Sequence, residues 1–118
     1  MVAINLLLVF AWGGLIFIVS SIPGNNIPSL FPFQSVLFHV VEYAIFAWLI
    51  KRALKEYHPN LNPVNYFYWT IAICLIYAAG DEFHQAFVPF RDASLLDVSF
   101  DTLGAIIGSL LSTKLWLI

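Results

Sequence analysis

Charge is what this sequence has least of: 10% of its 118 residues are charged, against 61% that are hydrophobic. A soluble domain of ordinary composition carries about 25% charge, so the balance argues against a water-exposed globule and predicts an integral membrane protein. The 5 basic residues, Lys51, Arg52, Lys55, Arg91 and Lys114, form no stripe that could line a nucleic-acid groove, and no nucleic acid is expected as a partner. Cysteine is nearly absent. The single Cys74 excludes an internal disulfide, makes a poor case for a metal site, and reads as packing inside an apolar run. Also missing is the strict alternation of polar and apolar residues that a membrane barrel needs.

What is there is four apolar stretches, roughly 2–22, 36–55, 66–88 and 95–117, each long enough to cross about 30 Å of hydrocarbon as a helix. Pro23, Gly24, Pro28 and Pro32 mark the first joint, Pro59 and Pro63 the second, and Pro89 the third. The expected architecture is all-α: a polytopic membrane protein, a compact antiparallel bundle of four transmembrane helices forming one domain over 1–118. The first stretch lacks the basic start of a secretory signal and has too long an apolar core, so it reads as a retained helix. Lys51, Arg52 and Lys55 place the second joint in the cytoplasm, which puts both termini there, together with Lys114, and turns the first and third joints outward.

That orientation gathers the ionisable groups. Ser20 and Ser21 fall at the outer end of the first helix, His39 and Glu42 in the first turns of the second, Asp81, Glu82, His84 and Gln85 in the last turns of the third, and Asp97 and Asp101 at the start of the fourth. His39 and Glu42, Asp81 and Gln85, and Asp97 and Asp101 are each three or four residues apart and share a helix face. Gly104 and Gly108 continue the face of Asp97 and Asp101, and small residues there let helices approach closely, so these acids are expected to point inward. Asp81 and Glu82 are sequence neighbours pointing about 100° apart on a helix, so they cannot serve one point together.

Plainer roles compete for each of these residues. Glu82 or Asp81 could pair with Arg91 and pin the outer loop, or Arg91 could hold a lipid phosphate. His39 could bond a backbone carbonyl or Glu42, while His84 reads as solvated and His58 as a loop residue. The aromatics Trp12, Trp48, Trp69, Trp116, Tyr66 and Tyr68 fit an interfacial belt. Burial could leave several carboxyls protonated and hydrogen-bonded to Ser20, Tyr43 or Gln85. No cofactor is expected; a divalent cation is the one open option, because His39 and the acids supply suitable ligands without forming a local metal motif.

The run DEFHQAFVPFRDASLLDVSFDTLGAIIG at 81–108 resembles the signature of VanZ-like membrane proteins, FHVVEY with His39, Glu42 and Tyr43 is similar to that family's histidine and tyrosine segment, and SSIPG at 20–24 to its small polar stretch. The likeness covers nearly the whole chain. Carried over by position, the motif residues are Ser20, Pro23, His39, Glu42, Tyr43, Asp81, Glu82, Gln85, Phe87, Pro89, Arg91, Asp97, Asp101 and Gly104. Two departures stand out: QSVLF precedes His39 where many members carry a lysine, and Asp101 stands where an uncharged amide is common. The resemblance implies a multi-pass protein of the bacterial cytoplasmic membrane and an association with resistance to the glycopeptide teicoplanin.

The function expected is binding, in an outward acidic pocket, of a lipid-linked or phosphate-bearing envelope component; the alternative is a membrane-embedded hydrolase or transferase acting on a lipid headgroup. His39, Glu42, Asp81, Glu82 and Asp97 are the candidates to carry chemistry, and Ser20, Tyr43, Gln85, Arg91 and Asp101 the candidates to bind. Proton-coupled transport ranks last, because four short helices enclose little space unless the chain forms an oligomer. The expected partners are therefore the bilayer and an envelope lipid headgroup or lipid-linked precursor.

Overall fold

The computed structural model describes residues 2–111, without the side chains of residues 2 and 3; Lys114, Trp116 and the end of the fourth apolar stretch lie outside the described residues. Four α-helices run in order: α1 (Val2–Ser20), α2 (Gln34–Tyr57), α3 (Pro63–Gln85) and α4 (Leu95–Leu110), with a short 3₁₀ turn at Gly24–Asn26 between the first two. No strand occurs among the described residues. Likewise among the described residues, no helix is long and apolar enough to cross a membrane.

Capping chemistry, rather than hydropathy, sets several helix ends. Pro63, read from the sequence as a break, is instead the first residue of α3: its missing N–H is one the helix start leaves unused, and the Asn62 side chain accepts from Asn65 N–H at 2.8 Å. Ser94 caps α4 in the same way, accepting from Asp97 N–H at 3.2 Å. The C-terminus of α4 is closed by a side chain from another helix, with Lys51 Nζ donating to the Ser109 carbonyl at 2.8 Å.

α2 is the centre of the bundle, packing on α1, α3 and α4, whereas α1 and α4 do not meet among the described residues. The core joins Tyr43, Phe46, Ala47 and Ile50 of α2 to Ile16 of α1, Cys74 and Ala78 of α3 and Ala105 of α4, so Cys74 packs as the sequence suggested. The tightest approach is α2 on α4. A Cβ on Gly104 would lie 2.3 Å from the Val40 carbonyl oxygen, and one on Gly108 2.0 Å from that of Ala44, so the two backbones are in direct contact. Tyr77 of α3 donates its hydroxyl to the Gly13 carbonyl and ties α3 to α1.

Polar side chains share the interior with that apolar core, and large apolar ones stand outside. Ser20, His39, Thr70, Asp81, Glu82, Gln85 and Asp101 are buried, while Leu7, Phe10, Ile18, Ile76, Phe83, Leu95 and Leu110 are exposed. Among the described residues, Trp12 and Trp48 depart from an interfacial belt: both sit mid-helix, the first donating Nε1–H to the Glu42 carbonyl at 2.9 Å and the second lying under the Arg52 guanidinium at 4.9 Å.

Candidate functional site

α1 and α3 finish where α2 and α4 begin, and every acid singled out from the sequence lies at that end of the bundle. His39, in the second turn of α2, faces the second turn of α4, where its Nδ1 sits 2.5 Å from Asp101 Oδ1. Asp101 is wholly buried. With Nδ1–H donated to the carboxylate, the ring is fixed in orientation and its Nε2 points toward Asp97, whose Oδ1 is 3.9 Å away. The partner of His39 is thus Asp101, rather than Glu42 or a backbone carbonyl, because α4's small-residue face brings that acid against α2.

Asp81 and Glu82 diverge as their adjacency requires. Asp81 lies with Ser20, Gln85 and Arg91 on one cavity. Glu82 turns toward α4, where its Oε2 accepts from Ser94 N–H at 2.6 Å and holds the start of that helix. Its Oε1 is buried with no partner, as are Asp101 Oδ2 and the Tyr43 hydroxyl. Tyr43, fully buried one turn after His39, therefore bonds none of the acids.

Arg91 pins the loop by a different route from an ion pair. Its Nε donates to the Ile22 carbonyl at 2.9 Å and its Nη2 to the Val19 carbonyl at 2.6 Å, closing the C-terminus of α1, where a cation is favoured by the helix dipole. Beside it, Gly24 N–H donates to the Pro89 carbonyl at 2.9 Å, and a Cβ on Gly24 would lie 1.6 Å from the Phe90 carbonyl oxygen, so glycine is required for the clasp. His84 is half-buried, not solvated: it stacks on Phe17 with ring centroids 4.5 Å apart, and its Nε2 lies 2.9 Å from Ser21 Oγ, which already donates to the Phe17 carbonyl.

Between α1, α2 and the end of α3 lies a cavity of about 440 Å³. Ser20, His39, Glu42, Asp81, Gln85 and Arg91 supply its polar lining, and Trp12, Ile16, Val19, Phe38 and Val41 its apolar wall. Glu82, Asp97 and Asp101 do not line it; they form a second group on the far side of His39, toward α4. His39 belongs to both groups. Sequence reasoning missed the apolar wall and Trp12, although an indole N–H inside an apolar run signals a buried acceptor.

A family model described as VanZ/LLP1 matches residues 5–117. No curated protein and no solved structure gives a match.

Proposed function

The chain belongs to the VanZ/LLP1 family, and from that premise we propose that it is an integral protein of the bacterial cytoplasmic membrane whose outward cavity binds a lipid-linked or phosphate-bearing envelope component. The observation that carries this reading is the cavity's two-sided lining, with polar groups on one part and an indole and aliphatic wall on the other. Such a surface suits an amphiphile, and the volume falls within the range of small-ligand sites. Arg91 faces the anionic group of that ligand, while Glu42, Asp81 and Gln85 accept or exchange hydrogen bonds with hydroxyl or amine groups beside it.

Embedding in the membrane is supported by the surface as a whole rather than by the length of any one helix. Leu7, Phe10, Ile76 and Leu110 stand exposed on the helices, and Leu30, Phe33, Phe87 and Phe90 on the segments around the cavity. So much exposed apolar surface is rare on proteins that live in water. In this reading both termini are cytoplasmic, the cavity faces out, and the family's association with glycopeptide resistance reflects a change in how an envelope precursor is held.

The test uses the full chain in lipid nanodiscs, titrated with a polyprenyl phosphate and read by tryptophan fluorescence, with Trp12→Phe identifying the cavity's share of the signal. Arg91→Gln and Asp81→Asn are expected to weaken binding about tenfold or more, the loss of one charge-assisted hydrogen bond. Equal binding of a bulk phospholipid, insensitive to both substitutions, would sink the reading; so would release of the chain from membranes by an alkaline carbonate wash. Labelling of a cysteine placed at Ser94 only after the cytoplasm is opened would overturn the orientation.

One geometry favours hydrolysis or group transfer as a second reading. A carboxylate fixing one ring nitrogen of a histidine that lines the cavity, with the other ring nitrogen 3.9 Å from a second carboxylate, is how a general base is oriented. Headgroup turnover that is lost in His39→Gln would establish it, and its absence in the unsubstituted chain would leave the binding reading alone.

A further inference from the structure

His39 of α2, Glu82 of α3 and Asp97 of α4 each offer one ligand atom, and these three atoms lie within 4.8 Å of one another. No hydrogen bond accounts for that meeting. His39 Nε2 and Asp97 Oδ1 are 3.9 Å apart, too far for a hydrogen bond, yet close to the separation of about 3.0–3.5 Å that two ligands keep when each sits about 2.0–2.2 Å from one ion. The other ring nitrogen is engaged by Asp101, the carboxylate–histidine arrangement that fixes the tautomer and aims the free nitrogen at a metal.

An independent observation comes from Glu82. The residue is 7% exposed, Ser94 N–H holds one of its oxygens, and the other is buried with no donor near it. Leaving a buried carboxylate oxygen unpaired is costly, and among the described residues no lysine or arginine pairs with it; Arg91 turns its Nε and Nη2 to the Ile22 and Val19 carbonyls instead. Three carboxylates, those of Glu82, Asp97 and Asp101, thus crowd one imidazole. A cation between them satisfies the orphan oxygen and the charge together.

We propose that His39, Glu82 and Asp97 bind a divalent transition-metal ion of the Zn²⁺ or Mn²⁺ kind, with Asp101 positioning the histidine. One imidazole nitrogen with two carboxylate oxygens suits these ions better than Mg²⁺ or Ca²⁺, which prefer oxygen alone, or a soft ion that wants sulfur. Three protein ligands leave a coordination position open. Because His39 also lines the cavity, the ion borders the space assigned above to the amphiphile. The inference does not rest on that assignment: metal content is measured without lipid, and either claim can fail while the other stands.

The experiment strips the full chain with a chelator in mild detergent, dialyses it against Zn²⁺ or Mn²⁺, and measures bound metal by elemental mass spectrometry. About one ion per chain is expected, with affinity, read by chelator competition, falling about 100-fold or more in His39→Gln and in Asp97→Asn. Asp92→Asn, an exposed acid on the loop between α3 and α4, leaves it unchanged. Should the ligand variants fail to fold, the unsubstituted chain decides: loaded with Co²⁺ it should show the visible bands of nitrogen and oxygen ligation, and its melting temperature should rise with metal concentration. Uptake of neither ion by the stripped chain would overturn the proposal. Equal uptake by a His39→Gln, Asp97→Asn double variant, or binding of Mg²⁺ as tight as that of Zn²⁺, would overturn it too.

Discussion

Adding one methyl group to Gly104 tests whether the contact of α2 with α4 builds the site. In Gly104→Ala the new carbon starts 2.3 Å from the Val40 carbonyl oxygen, with the Val40 carbonyl carbon and Cα each at 3.0 Å. All three obstacles are backbone, so no rotamer relieves them and the helices must part by about 1 Å to restore van der Waals contact. Val40 directly follows His39, and Asp101 lies one turn before Gly104, so that movement stretches the 2.5 Å His39–Asp101 contact to about 3.5 Å, where little of a hydrogen bond remains. Overpacking costs about 1–3 kcal/mol and the charge-assisted bond about 1.5–3 kcal/mol, against about 1 kcal/mol returned by alanine's better helix propensity. The net loss of about 2–5 kcal/mol should lower the melting temperature of the full chain in detergent, followed by circular dichroism, by about 10 °C or more. Gly80→Ala, with nothing within 4 Å of its new carbon, is the matched control and should melt at or above the unsubstituted chain. If both variants melt alike, the helices do not touch at Gly104 and the register that brings His39 to Asp101 is wrong.

The same melting and proteolysis measurements check the remaining contacts. A cycle of His39→Gln and Asp101→Asn should show coupling of about 1.5–3 kcal/mol, and additive effects would deny the bond between them. Arg91→Lys keeps the charge but loses the fork that reaches both Ile22 and Val19, so cleavage of the 22–33 segment by added protease should quicken; an unchanged rate would mean that charge alone holds the loop. Asn62→Ala should cost about 1 kcal/mol and Asn62→Gly only a few tenths, whereas equal costs would point to something other than the cap at the start of α3.

Helix number and the faces that carry polar residues could be read from the sequence, because both follow from spacing along a single element. The inward face of α4 is an example: Asp97, Asp101, Gly104 and Gly108 share one stripe, and in the fold Asp101, Gly104 and Gly108 are buried against α2. Which partner each group meets depends on the order of helices around α2, and spacing carries no information about that order. His39 and Asp101 are 62 residues apart, and nothing local to either singles out the other. Arg91 illustrates a second limit. Charge matching suggested an acid, but its acceptors are backbone carbonyls, present at every residue and distinguished only when α1 ends beside it. The start of α3 was misplaced for a third reason: an apolar window averages over Asn62 and Pro63, although those two residues define the boundary.

An apolar exterior changes what can select this arrangement. When the outward faces are as apolar as the inward ones, burying hydrocarbon hardly distinguishes one rotation of a helix from another, so the choice falls to backbone approach and polar pairing. Polar contacts of that kind link three of the adjoining pairs: Trp12 to the Glu42 carbonyl for α1 and α2, Tyr77 to the Gly13 carbonyl for α1 and α3, and His39 to Asp101 and Lys51 to the Ser109 carbonyl for α2 and α4. Turning any of these helices by a single residue strands a buried donor or acceptor, at a cost of about 1–3 kcal/mol. The groups that fix the register are then partly the groups that line the cavity and approach the proposed metal site, with His39 serving in all three capacities. Loss of binding on changing His39 or Asp101 therefore has two origins, and only a variant that binds less while melting with the unsubstituted chain separates recognition from assembly. Asp81 offers that separation: it lines the cavity with Ser20, and none of the helix-joining contacts named above involves it.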